Sequence, residues 1–123
     1  GRKAATSAKS CELPSYDPEV AAREQARLYA PLFVKDGINW KELNQAIAKA
    51  MQNYCGGVRC EALLREGLDL LGSYERDIVP QLSCKNPHEL MRIHEVLDIL
   101  TVAQIVLHAS LHRKPSPAPQ TRT

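Results

Sequence analysis

Residues 86–113 constrain the fold more than any other stretch of this 123-residue chain. They open on Asn86-Pro87-His88-Glu89: a side-chain N-cap, a proline at the first helical position, and an acidic residue in the first turn against the helix dipole. Beyond it Leu90, Ile93, Leu97 and Leu100 form a heptad seam. From position 96 onward Val96, Ile99, Leu100, Val102, Ala103, Ile105, Val106 and Leu107 point in every direction around the axis. A helix that is apolar all round is buried all round. In a small bundle one side of it should see water, so part of its surface either meets another domain or is covered by a short helix of the same chain. Both readings stand open at this level. The first assigns Val96, Ile99, Val102, Ala103, Val106 and Arg113 to an interdomain contact.

The rest of the chain supplies partners for that helix. Asp17-Pro18-Glu19 starts a short helix that should run to about Tyr29, before Pro31. Asn39 caps the next, with Glu42 at capping-box spacing and Trp40, Leu43, Ile47, Ala50 and Tyr54 at alternating steps of three and four. Gly56-Gly57 is expected to end it by taking the left-handed conformation. A further helix is expected from about Arg59 to Ile78 or beyond, with Leu64, Leu68, Leu71, Tyr74 and Ile78 on one stripe and Pro80 bending or stopping it. No stretch alternates as a half-buried strand does. The fold class is therefore all-α: a three-helix up-down-up bundle with a short extra N-terminal helix. Residues 1–16 read as a linker, 17–114 as the bundle, and 115–123, with Pro115, Pro117 and Pro119, as a disordered tail.

Charge is unevenly placed. Arg2, Lys3 and Lys9 lie in the first ten residues, and Arg113, Lys114 and Arg122 in the last eleven. Residues 11–112 hold ten Lys/Arg against fourteen Asp/Glu, so the folded body is acidic and nucleic acid is not an expected partner. The apolar stretch 96–111 is interrupted by Asp98, Gln104 and His108 and falls short of the roughly 20 residues of a membrane span. Four sparse cysteines (Cys11, Cys55, Cys60, Cys84) in a helix-rich chain read as reduced thiols of a cytoplasmic protein.

No glycine-rich nucleotide turn, nucleophile elbow or HExxH is present. Cys55-x4-Cys60 with His108-x3-His112 is the best metal candidate, because two histidines at i, i+4 share a helix face. The cysteines flank a helix break far from the histidines, and two buried thiols with two imidazoles near a helix end explain the same residues, so no metal site is assigned. His88 and His94 are better read as surface or hydrogen-bonded residues than as acid/base groups. No catalytic or cofactor-binding residue is assigned.

Several segments together resemble a known family. Residues 1–4, Gly-Arg-Lys-Ala, are similar to the start of the last helix of the FAD-binding domain in fumarate reductase and succinate dehydrogenase flavoproteins. Residues 45–57, QAIAKAMQNYCGG, and 94–114, HEVLDILTVAQIVLHASLHRK, resemble helices of their C-terminal domain. Tyr29-Ala30-Pro31-Leu32 and 37–43, GINWKEL, are closest to a branch that includes adenylylsulfate reductase α-like flavoproteins.

The resemblance implies a spectrin-repeat-like bundle packed on upstream FAD-binding and capping domains, with residues 1–16 as the stub of the former. FAD and the groups that handle the dicarboxylate would lie upstream, with none in this chain and no activity from it alone. An iron–sulfur subunit, and membrane association through partner subunits, are further implications. The tail departs from the family's Arg-Lys-Glu-Ser-Arg-Gly at Pro115, Pro117 and Ala118, which leaves the substrate open. The alternative is a free-standing helical interaction module. Cut from its parent, the domain should self-associate through its apolar surface.

Overall fold

A computed structural model describes residues 1–12, 15–113 and 121–122. The side-chain N-caps that the sequence marks form at three helix starts, although Asn39 bonds the Lys41 amide rather than the Glu42 amide that a capping box would use. Asp17 Oδ1 accepts from the Glu19 and Val20 amides at the head of α2, Pro18–Tyr29. Asn39 accepts from the Lys41 amide at the head of α3, Trp40–Tyr54. Asn86 accepts from the Glu89 amide at 2.9 Å at the head of α5, Pro87–His112, while the Glu89 carboxylate reaches back to the Lys85 amide at 2.7 Å. Two otherwise unpaired backbone donors are thereby satisfied at one helix end. Between them lies α4, Glu61–Ser73. Near the N-terminus α1, Arg2–Ser10, buries no residue. That segment lacks large apolar groups, but its alanines favour a helix without any packing.

The bundle is α3, α4 and α5, each packed against the other two. The start of α3 lies beside the start of α5, because Ile38 and Leu82 form a parallel bridge. The end of α3 lies beside the end of α5, where Cys55 meets Ser110. Helices α3 and α5 therefore run the same way and α4 returns between them, the up-down-up order expected. Leu43, Ile47, Leu64, Leu71, Leu82, Ile93 and Leu107 are all but sealed from solvent, each contributing roughly 1.5–3 kcal/mol by burial.

Three local details depart from the sequence reading. First, α4 does not run on as an α-helix to Ile78: it widens into one π turn, Tyr74–Ile78, and a 3-10 turn, Val79–Gln81. The Val79 amide bonds the Tyr74 carbonyl, five residues back. Pro80 has no amide to continue the ladder, so the helix stops there. Second, neither Gly56 nor Gly57 is left-handed. Helix α3 ends at Cys55, φ −128° and ψ 36°, whose amide bonds the Met51 carbonyl, and the chain bends through Gly56 and Gly57 into Val58–Arg59. The one positive φ among the described residues is at Asp36, 52°. Third, Val58–Arg59 (β1) and Thr121–Arg122 (β2) form a two-residue parallel pair. Apart from β2, the tail lies outside the described residues, and so does the expectation of disorder there.

Two glycines are required by close approach. A Cβ at Gly37 would collide with the Gln81 carbonyl oxygen, where the 36–39 and 81–84 loops are joined by Ile38 N–H to Gln81 O at 2.8 Å and Ser83 N–H to Ile38 O at 3.0 Å. A Cβ at Gly67, in the middle of α4, would stand 2.7 Å from the Tyr54 Cβ and 3.4 Å from Leu107 Cδ1. Gly72, one turn further on, would meet nothing within 4 Å. Gly67→Ala should therefore lower stability by roughly 1–3 kcal/mol through overpacking. Gly72→Ala should raise it by up to about 1 kcal/mol through helix propensity. Urea-denaturation midpoints of the two variants should move in opposite directions.

Candidate functional site

The outward side of α5 carries apolar side chains that the bundle core does not use. Inward, Leu90, Ile93, Val96, Leu100, Ala103, Leu107 and Ser110 are buried against α3 and α4. Outward, Ile99 is 46% exposed, Val102 57% and Ile105 59%. These three follow one another at intervals of three, so they form a row along the helix. The core beneath them is already complete, and folding alone gives no reason for three branched aliphatic side chains in water.

The six residues that the sequence assigns to an interdomain contact divide between the two sides. Val96 and Ala103 are buried in the bundle. Ile99 and Val102 face out, and Val106 is half-buried at the edge of the core. Arg113 ends the helix, exposed, with its amide on the Ala109 carbonyl. Ile105 belongs to the outward row and was not assigned. Its spacing of three from Val102 was the available signal, but an all-round apolar helix offers the same spacing on other sides. The short helix α2 does not cover the row. Its end meets α5 earlier, where the His94 ring Nε2 donates to the Leu28 carbonyl at 3.0 Å. An apolar cavity of about 200 Å³ lies there, lined in part by Pro31, Val79, Leu82, Ile93 and Leu97.

The metal candidates are not brought together. Cys55 is buried with its sulfur 4.0 Å from Ser110 Oγ. His108 and His112 border a groove with Glu61, Arg65 and Asp69, and His112 Nδ1 bonds the His108 carbonyl. Among the described residues no three His, Cys, Asp or Glu side chains are placed to hold one ion. His88 is exposed in the first turn of α5. A polar node was not foreseen: the half-buried Arg59 donates from Nη1 to Ser110 Oγ at 2.6 Å and from Nε to the Gly56 carbonyl at 3.2 Å. Ser110 passes its own proton to the Val106 carbonyl at 2.7 Å.

None of the four cysteines is in a disulfide. Burial pushes the Cys84 thiol above its ordinary range, and the nearby Glu89 carboxylate adds to the shift. The raised value keeps Cys84 protonated in the folded state while the unfolded chain ionises at the ordinary thiol value. Stability should thus fall as pH rises through that range toward the folded value. The urea midpoint of the chain should decline more between about pH 7 and about pH 9.5 than that of Cys84→Ala, the thiol's ordinary value being about 8.5.

The described residues thus form a helical bundle with a finished core and a bare apolar row along α5. Residues 44–121 match the family described as fumarate reductase flavoprotein C-term, and the chain belongs to that family. Its fold is similar to that of a chain in the Mycobacterium smegmatis Sdh1 complex in the apo form, with a TM-score of 0.78 at 20% sequence identity. That match takes in 94% of this chain and 20% of the other, so this chain spans about a fifth of its structural relative. No curated protein sequence matches to a significant degree.

Proposed function

We propose that this chain is the helical docking domain of an FAD-dependent oxidoreductase of the fumarate reductase/succinate dehydrogenase type, and that it carries no catalytic group of its own. It seats on the upstream FAD-binding and capping domains through Ile99, Val102, Ile105 and Val106, with Arg113 at the end of the contact and Val96 and Ala103 supporting the helix from behind. FAD is held by the upstream domain and not by this one. The observation that carries the reading is the bare row on α5, whose side chains would otherwise be left in water. Membership of the flavoprotein C-terminal family supports it, as does the small share of its structural relative that the chain covers. That relative is part of a complex, which agrees with an assembly that includes further subunits, an iron–sulfur subunit among them. No described helix is long and apolar enough to cross a membrane. Membrane association of the parent, on its cytoplasmic side, would come through partner subunits.

The test is Val102→Asp with Ile105→Asp, made both in this chain and in the longer polypeptide that carries it. In the longer polypeptide the expected result is retained flavin absorbance with limited proteolysis near residues 11–16 faster by roughly tenfold, because an undocked domain exposes its tether. In the chain alone, sedimentation should show wild-type self-association that the double variant abolishes. Unchanged proteolysis, or stoichiometric FAD binding by the chain alone, would contradict the proposal.

A further inference from the structure

The end of the bundle where α3 and α5 finish is closed by an arrangement that the docking role does not use. Cys55 ends α3 and Cys60 precedes α4 as its N-cap, so the two thiols bracket β1. Within β1, Arg59 sends its side chain into the bundle end, where its guanidinium is hydrogen-bonded to Ser110 of α5 and to the Gly56 carbonyl. Ser110 in turn is the neighbour of the Cys55 sulfur. The backbone of this same short strand is the one β2 pairs with, in register Val58↔Thr121 and Arg59↔Arg122. Arg59 is thus held on both sides: its side chain by the end of α5 and its main chain by the C-terminal segment. Independently, the family match runs past the end of α5 and ends at residue 121, the first residue of β2.

We propose that β2 is a latch on the Cys55–Arg59–Ser110 node. Pairing with β2 fixes β1 in the extended form from which Arg59 reaches Ser110, and that bridge keeps the segment between Cys55 and Cys60 folded over the bundle end. With β2 seated, Cys55 is buried and Cys60 is half-buried. When β2 leaves, β1 loses its only backbone partner among the described residues and the two thiols become accessible together. Two residues of ladder are a weak attachment, since isolated short pairings are marginal in water. The latch therefore opens at a free energy well below that of global unfolding. A segment that displaced β2 by pairing with the same edge would have the same effect, as strand addition does elsewhere.

The latch is independent of the α5 docking face, and its test does not involve that face. The full-length chain would carry Thr121→Pro with Arg122→Pro, since proline cannot donate to a ladder. A control, Thr121→Val with Arg122→Val, keeps both amides. Native-state pulses of N-ethylmaleimide followed by peptide mass mapping would give a rate for each cysteine, with Cys84 at the opposite end of the bundle as the internal reference. The proline variant should label Cys55 and Cys60 faster by roughly tenfold, with Cys84 unchanged and the valine control at the wild-type rates. Unaltered rates at Cys55 and Cys60 would overturn the proposal. So would a parallel rise at Cys84, which would mean general destabilisation, or a valine control that behaves like the proline variant.

Discussion

The packing of Ile93, Val96, Leu100, Ala103 and Leu107 between α3 and α4 is the contact on which everything else in this domain depends. It places a 26-residue helix as a spine, and both shorter helices lean on it. A small domain has little core to spare, and this one concentrates its core along a single line. The close crossing at Gly67, where α4 passes Tyr54 and Leu107 with no room for a side chain, lets three helices share that line.

Polar contacts serve the spine by fixing its ends. At one end the loops before α3 and α5 are tied by main-chain bonds around Ile38, and Cys84 N–H bonds the Pro31 carbonyl at 3.1 Å. At the other, Arg59 and Ser110 join the α3–α4 connection to the last turn of α5. Surface ion pairs such as Arg27–Glu24 and Arg65–Glu61 are largely exposed and within single helices; such pairs are worth little. The end ties matter more because they bring together segments far apart in sequence.

Because the spine uses only one side of α5, the other side remains as a surface. The row Ile99, Val102 and Ile105 is thus a consequence of how three helices enclose a fourth side with nothing. The short helix α2 touches α5 only near His94 and leaves the row bare. The apolar character of α5 was legible from the sequence; which of its residues face out was not. Val96 and Ala103 carry the same chemistry as Ile99 and Val102, and only the direction of approach of α3 and α4 separates them. Arg59 was illegible for a different reason. An arginine beside a helix break looks like any surface cation until Ser110, about fifty positions later, is brought to it.

By itself the sequence determined helices α2 to α5, the caps of three of them and the order in which they stack, while α1 lies where it read as a linker. These depend on residues within a few positions of one another: Asp17, Asn39 and Asn86 as caps, Pro80 as a stop, and aliphatic side chains at steps of three and four. Tertiary structure decided the rest. It turned the end of α4 into a π turn, let α3 leave through a bend at Gly56 and Gly57 without a left-handed glycine, and paired β1 with a strand more than sixty residues away. It also sorted one all-round apolar helix into a core side and an exposed side. Local chemistry fixes a helix, but which side of it is buried depends on where the neighbouring helices come to rest.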